Sequence, residues 1–231
     1  MTRKKIYVAI LNQGTVSSGL ETQMYIWMKD LGAKYIYSYF PTKYSNRPIS
    51  NNRNTIVKDF LKSDCEYLFM LDDDVCPLLN PLELIEHDKD VIGAIYPGRD
   101  DNGIHYHIYK FGKDYPKKIS FEQYESNEIK GLTKIDAIGT GCIIIRRNVL
   151  EKIKKPFEDW FDKDGCLITN DDLYFSHKCR ENKFEIWTHG NHMCSHYKMV
   201  DLLQMAHLLI KAKNGSRSND KQRNQKNEGA K

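Results

Sequence analysis

Hydrophobic and polar positions follow two alternating periods over the first hundred residues. Continuous apolar runs of strand length occupy 5–11, 34–40, 66–71 and 91–96. Between them, apolar residues recur at helical spacing, from Leu20 to Leu31 and from Ile56 to Leu61. Strands that alternate with helices are typical of βα units. The pattern therefore predicts an α/β fold with a mixed, mostly parallel central sheet flanked by helices.

The second half of the chain is less regular, and its elements are predicted segment by segment. Residues 104–130 indicate short strands and a loop. The pattern then predicts a glycine-rich turn and strand at 137–147, a helix from Asn148 that Pro156 stops, and a second helix at 170–181. A strand at 184–187 and an apolar helix at 199–212 follow. After Asn214 the chain is polar up to Ala230, which predicts disorder. We expect a single folded domain over 1–213 and a tail over 214–231.

Charge and cysteine content narrow the functional classes. The net charge is +4, but residues 211–231 alone carry seven basic and two acidic side chains. The folded part is thus nearly neutral, which argues against a nucleic-acid-binding body. The six cysteines form no CxxC pair, and no apolar run reaches the ~18 residues of a membrane helix. We therefore predict a cytoplasmic protein; the segment 199–231 either packs on the body or contacts an anionic membrane at its inner face.

Three consecutive aspartates follow an apolar strand in LFMLDDDV (68–75). Ligands of α/β sheets bind outside the carboxyl ends of the strands, where these residues would lie. If the backbone stays extended, Asp72 and Asp74 point the same way and Asp73 the other. Carboxylate oxygens suit Mg²⁺ or Mn²⁺, which usually keep contacts with substrate phosphates. The alternative is a polar turn that closes the strand.

Other polar groups are candidates for the same edge. Asp171 and Asp172 open a predicted helix, either as a general base or as an ordinary acidic first turn. The turn Gly139-Thr140-Gly141 allows close approach of a ligand, but it precedes a strand and so differs from a dinucleotide fingerprint. Arg53 and Arg99 lie in segments expected at this edge and either bind phosphate or face solvent.

Four soft ligands occur together in His189-x-x-His192-x-Cys194-x-His196. A structural zinc site is conceivable, although so short a span wraps one ion awkwardly. A single histidine that joins the aspartate-bound metal is the preferred functional interpretation. The alternative is that these histidines are ordinary polar groups of a loop.

Taken in order, the motifs resemble those of GT-A-fold glycosyltransferases, close to family 2-type nucleotide-sugar transferases and their small viral or bacterial relatives. The resemblance covers roughly 5–197, and its motifs are IYVAIL, SNNRNTIVKDFL, EYLFMLDDDVCP, KDVIGAIYPGR, IDAIGTGCIIIRRNVLEKI, TNDDLYFSHKCRENKFEI and CSH.

The resemblance implies a role for each matching residue. Asp72 and Asp74 would match the DXD motif that binds Mn²⁺ or Mg²⁺ and the donor diphosphate, with His196 completing the metal shell. Asp171 and Asp172 match the Glu-Asp element, and Asp172 is our candidate base. Donor contacts are implied for Asn12, Arg53, Asp73 and the loop Gly139, Thr140 and Gly141; Arg99 joins this group as a phosphate ligand.

These roles imply a metal-dependent transferase that moves a sugar from a UDP-, GDP- or dTDP-sugar to a hydroxyl group, with inversion. The acceptor would be a glycan, a lipid-linked molecule or a protein. One alternative is a nucleotidyltransferase, although the loop NQGTVSSGLE after the first strand lacks the Lys or Arg of such enzymes. The other is a catalytically silent nucleotide-sugar-binding module of the same fold. Retaining chemistry also stays open.

Overall fold

The computed structural model describes residues 3–12, 18–40, 48–100, 103–116, 118–124 and 128–198, and the isolated positions 206 and 210. The chain divides into two units, Met1–His196 and Tyr197–Lys231. Most of the expected helix at 199–212, and all of the tail at 214–231, lie outside the described residues. In the part of the chain that is described, no helix is both long and apolar enough to cross a membrane.

The described residues of the first unit form four α-helices, one 3₁₀ helix and strands of two to eleven residues. The helices are α1 (Ser18–Asp30), α2 (Ile49–Lys62), α3 (Arg147–Lys152), α4 (Asp171–Glu181) and the 3₁₀ helix Pro81–His87. The strands are β1 (Lys4–Leu11), β2 (Tyr35–Phe40), β3 (Tyr67–Asp72), β4 (Val75–Pro77), β5 (Val91–Ile95), β6 (Pro97–Asp100), β7 (Gly103–Tyr106), β8 (Ile108–Phe111), β9 (Phe121–Gln123), β10 (Leu132–Ile135), β11 (Ala137–Ile138), β12 (Cys142–Arg146), β13 (Trp160–Phe161), β14 (Leu167–Thr169) and β15 (Ile186–His196).

The central sheet has the strand order β10-β15-β5-β12-β3-β1-β2, and β4 pairs with β15 beside this path. Strands β2, β1 and β3 are parallel, and so are β5 and β15. Strand β12 lies between β3 and β5 and is antiparallel to both, so β1, β2, β3, β5 and β15 run in one direction. Strands β10 and β4 are antiparallel to β15. The predicted fold class, a mixed and mostly parallel sheet flanked by helices, is confirmed.

Helices pack against both faces of the sheet, and successive side chains of a strand point to opposite faces. On β1, Tyr7, Ala9 and Leu11 join the cluster that also holds Phe60 of α2. Ile6, Val8 and Ile10 join the opposite cluster, with Leu20, Met24 and Trp27 of α1. These fully apolar strands appear in the sequence as continuous hydrophobic runs, as strands covered on both faces do.

Two elements differ from the sequence prediction in a way that affects the site. Strand β15 continues to His196, well beyond the predicted end at 187, because its second half leaves the β5 register and pairs with β4. Strand β3 ends at Asp72, and Asp73 and Asp74 lie in a turn before β4. The expectation that Asp72 and Asp74 point the same way on an extended strand is therefore wrong.

Candidate active site

A buried arginine gathers three aspartates at the carboxyl edge of the sheet. Arg53 comes from α2, Asp72 from the end of β3, and Asp171 and Asp172 from the start of α4. Arg53 Nη1 lies 2.6 Å from Asp171 Oδ2 and 3.1 Å from Asp172 Oδ1, while Nη2 lies 3.1 Å from Asp72 Oδ2. The side chains of Arg53 and Asp171 are each 3% exposed, and those of Asp72 and Asp172 18% and 14%. The structure thus brings together four residues that the sequence separates by up to 119 positions.

The carboxylates outnumber the positive charge, and this governs their titration. Burial raises the pKa of Asp72 to about 7; Arg53 opposes this rise, while Asp172 and Asp74 add to it. Burial and the neighbouring Asp172 likewise raise the pKa of Asp171 to about 6, again against Arg53. Burial opposes the charge on Arg53, yet the carboxylates outweigh it and raise the pKa of the guanidinium. One arginine therefore holds together more negative charge than it can neutralise.

Local structure aims Asp172 into this cluster. Asn170 caps α4, where its side-chain oxygen accepts a hydrogen bond from Leu173 N at 3.3 Å. The two aspartates that follow occupy the first helical turn, where the helix dipole favours negative charge. Thr140 Oγ1 donates a hydrogen bond to Asp172 Oδ1, so the loop between β11 and β12 fixes that carboxylate. Asp172 is therefore held from two sides while part of it stays accessible.

A second pair lies at the β15 end of the same edge. His196 Nε2 is 3.4 Å from Asp74 Oδ2, and His196 Nδ1 is 2.7 Å from the carbonyl oxygen of Pro97. A carbonyl only accepts hydrogen bonds, so Nδ1 donates to Pro97 O and Nε2 faces the Asp74 carboxylate. An imidazole nitrogen and a carboxylate oxygen are both ligand atoms for divalent metal ions. Asp72 instead turns towards Arg53.

No ready-made metal cage is present in the described ranges: no group of three or more His, Cys, Asp or Glu side chains there is arranged to hold an ion. The structural-zinc alternative at 189–196 therefore gains no support. His189 instead packs its ring on His87, at 5.2 Å between centroids, and against His192 at 5.3 Å.

The glycine loop differs most from its expected role. Gly141 N donates a hydrogen bond to the Tyr96 hydroxyl at 3.0 Å. A Cβ atom at Gly139 would lie 2.1 Å from that hydroxyl, and one at Gly141 would lie 2.9 Å from Tyr96 Cζ. The glycines therefore make room for the Tyr96 ring, and the expectation that this loop leaves its backbone open to a ligand is corrected for Gly139 and Gly141.

Backbone hydrogen bonds join the segments that carry the remaining candidates. Asp72 N donates to Gly141 O at 2.8 Å, and Asp73 N donates to Leu11 O at 2.9 Å. Asn12, directly after β1, is buried and donates from Nδ2 to Ile10 O. The ends of β1 and β3 and the start of β12 therefore lie side by side. Arg99 lies on the separate β6–β7 hairpin, opposite Ile104, and is exposed.

Tyr96 and His107 belong to the site but were missed in the sequence analysis. Tyr96 is 4% exposed and packs its ring at 4.7 Å from His107 and at 5.3 Å, edge to face, from His196. Burial, together with Asp172 and Asp72, raises the pKa of Tyr96 well above its usual value. In the sequence Tyr96 reads as the last residue of an apolar strand, and the glycines that accommodate it lie 43 and 45 positions away. The one sequence signal for this contact is the pair Gly139 and Gly141, which leaves space for a bulky group beside the loop.

The fold and this site together define an α/β protein with an acidic, arginine-centred site at the carboxyl edge of its sheet. No family model matches the chain, and no curated protein matches its sequence. Among solved structures, it is similar to the A197 protein from STIV, with a TM-score of 0.52 and 20% identity, over 85% of this chain and 86% of that one. At that identity the likeness extends to the fold alone.

Two glycosyltransferases are weaker structural neighbours. GalNAc-T7, crystallised with UDP, GalNAc and Mn²⁺, has a TM-score of 0.46 and 10% identity over 86% of this chain and 44% of that one. A mutant of Drosophila β1,4-galactosyltransferase 7, in complex with manganese, UDP-Gal and xylobiose, has a TM-score of 0.45 and 15% identity over 85% and 71%. Scores this low say nothing about the activity of this chain, and the family 2-type resemblance stays a prediction from the sequence motifs.

Proposed function

We propose that the chain is a divalent-metal-dependent glycosyltransferase that transfers a sugar from a nucleoside-diphosphate donor to an acceptor hydroxyl with inversion. The observation that carries this proposal is the excess of carboxylate charge at the sheet edge. Asp72, Asp171 and Asp172 share one guanidinium, and Asp74 adds a fourth carboxylate nearby. A buried surplus of negative charge is costly unless a cation compensates it.

The donor atoms of the second pair suit Mn²⁺ or Mg²⁺. Asp74 supplies a carboxylate and His196 an imidazole nitrogen whose tautomer is set by Pro97 O. We assign these two residues as the protein ligands, with Asp72 beside them completing the negative field. A divalent ion bound there would offset the charge on the departing nucleoside diphosphate. Two protein ligands leave most of the coordination shell to water and donor phosphate, as Mg²⁺ usually has it.

Asp172 is the base in this proposal, and Asp171 is a positioning residue. The carboxylate of Asp172 lies 3.1 Å from Arg53 Nη1 and is oriented by the hydrogen bond that it accepts from the Thr140 hydroxyl. It can therefore accept the proton of an acceptor hydroxyl as that oxygen attacks the anomeric carbon from the face opposite the diphosphate. Asp171 is buried against Arg53 at 2.6 Å, so its charge serves to hold the guanidinium.

This assignment changes the role proposed for Arg53. Both of its terminal nitrogens already face carboxylates, which makes it the counter-charge of the cluster rather than a clamp on donor phosphate. Asn12, Asp73 and Thr140 stay our candidates for the donor side. Backbone hydrogen bonds join Asp73 to Leu11, the neighbour of Asn12, and Asp72 to Gly141, the neighbour of Thr140. Arg99 is exposed on its hairpin and is proposed as a phosphate contact only from the sequence.

The test is release of nucleoside diphosphate from a panel of UDP-, GDP- and dTDP-sugars, with Mn²⁺ and with EDTA. We expect turnover of one nucleotide class that EDTA abolishes. Asp74→Asn should raise the Mn²⁺ concentration for half-maximal rate, and Asp172→Asn should lower kcat by roughly 10²- to 10⁴-fold at unchanged Mn²⁺ dependence.

Asp164→Asn is the matched control, because Asp164 is exposed in the turn between β13 and β14. It should behave as the parent protein in both assays. If the parent protein turns over none of the donors, the proposed function is wrong. If Asp74→Asn leaves the metal dependence unchanged, the proposed metal site is wrong.

A further inference from the structure

The Tyr96 side chain touches both halves of the proposed active site. Its hydroxyl accepts the hydrogen bond from Gly141 N, and its ring meets the His196 ring edge to face at 5.3 Å. Gly141 belongs to the loop that holds the base, whereas His196 belongs to the pair assigned to the metal.

On the side of the base, the connection runs through the glycine loop. The peptide groups of Gly141 donate to Tyr96 OH through N–H and accept from Asp72 N through the carbonyl, at 3.0 and 2.8 Å. The preceding residue, Thr140, orients Asp172 through its hydroxyl. The position of the phenol oxygen therefore helps to determine where Thr140 presents its hydroxyl to Asp172.

On the side of the metal pair, the connection runs through the ring. Tyr96 immediately precedes Pro97, whose carbonyl oxygen sets the His196 tautomer at 2.7 Å. His107 packs against the Tyr96 ring at 4.7 Å and lies 6.2 Å from the His196 ring. Gly98 would place a Cβ 2.2 Å from His107 Nε2, so this packing also depends on the absence of a side chain. The rings of Tyr96 and His107 therefore both pack near the His196 ring.

We propose that Tyr96 is a positioning residue for two groups of the active site. Its hydroxyl holds the loop that orients the base Asp172, and its ring holds the metal ligand His196 in place. This inference rests on the proposed function, which supplies the roles of Asp172 and His196. The contact of Tyr96 with the glycine loop and with His196 at the end of β15 can be measured without enzymatic turnover. Catalysis is sensitive to such placement, because a displacement of about 1 Å can reduce a rate roughly 100-fold.

Two substitutions separate the two contacts. Tyr96→Phe removes the hydroxyl and keeps the ring, so kcat should fall roughly 10- to 100-fold while KM for the donor and the Mn²⁺ dependence stay constant. Tyr96→Ala removes both and should in addition raise the Mn²⁺ concentration needed for half-maximal rate. Tyr67→Phe is the matched control, because Tyr67 is also a buried, hydrogen-bonded tyrosine but lies at the opposite end of β3 from Asp72. It should leave kcat unchanged.

An activity-independent readout distinguishes failure of this inference from failure of the proposed function. The Gly141 amide should lose hydrogen-exchange protection in Tyr96→Phe by at least roughly tenfold and keep it in Tyr67→Phe. If the parent shows no donor turnover, the proposed function falls, but the exchange result still decides whether Tyr96 holds the loop. A Tyr96→Phe protein with parental kcat, or with unchanged protection of Gly141, overturns the inference.

Discussion

Replacing Arg53 with methionine tests the arginine-centred cluster most directly. Arg53→Met keeps an apolar stem of similar length and removes the charge that Asp72, Asp171 and Asp172 share. Removing one partner of a buried ion pair typically costs about 3–5 kcal/mol, because the remaining charge stays buried without compensation. Here three carboxylates lose their partner at once, although they can relieve part of the cost by binding protons.

That relief is limited at alkaline pH. The pKa of Asp171 is about 6, so taking up its proton at pH 8 costs about 1.4 kcal/mol for each of the roughly two intervening pH units. We therefore expect Arg53→Met to lose at least about 3 kcal/mol of unfolding free energy at pH 8. For a chain of this size, this corresponds to a melting temperature lower by roughly 6–12 °C.

The assay is urea unfolding at pH 8, supported by calorimetry. Arg99→Met, at an exposed position, should stay within about 0.5 kcal/mol of the parent. The double variant Arg53→Met/Asp171→Asn should recover more than about 1 kcal/mol of the loss, because it removes one of the stranded charges. A loss below about 1 kcal/mol for Arg53→Met, as for an exposed ion pair, would refute the reasoning.

Two further predictions concern the surroundings of the site. Burial lowers the pKa of His177 in α4, although Glu181 opposes this shift. The neutral His177 side chain therefore contributes fully to the free energy of unfolding above about pH 6.5, and this contribution is lost as the pH falls through the lowered pKa of the folded state. Thermal unfolding should therefore show a smaller loss of stability between pH 7.5 and 5 in His177→Gln than in the parent, and an equal loss would contradict this. Gly139→Ala should lose about 1–3 kcal/mol, because its Cβ would press on the Tyr96 hydroxyl at 2.1 Å. Gly19→Ala, in open space on α1, should instead gain roughly 0.5–1 kcal/mol in the same urea assay, and a loss as large at both glycines would show that crowding is not the cause.

Several site residues could be found from the sequence because their surroundings are local. Asp72 follows an apolar strand, and Asp171 and Asp172 open a helix, so parallel topology places them at one edge. The partners of these groups could not be found in the same way. Asp72 and Asp74 were expected on one extended strand, but β3 ends at Asp72, two residues before Asp74. Asp74 therefore meets His196, while Asp72 meets Arg53.

Tyr96 is a site residue whose role could not be predicted from the sequence. Its apolar context predicts a core residue, and it is indeed buried. Tyr96 can contact the site because Gly139 and Gly141 carry no side chains. This matters only in the folded sheet, where β12 lies between β3 and β5. A glycine pair in a sequence does not specify whether the space it leaves is for a ligand or for another side chain of the same protein.

The order and type of the main elements could be predicted from the amino-acid pattern, because hydrophobic periodicity is a local property of the chain. The same pattern predicted that acidic groups collect at the carboxyl ends of the strands. Three features became visible only in the folded protein: the antiparallel position of β12, the extension of β15 to His196 and the pairing of three aspartates with one arginine. These features depend on contacts between residues far apart in sequence, whose energies arise only when burial removes water and places unlike charges together.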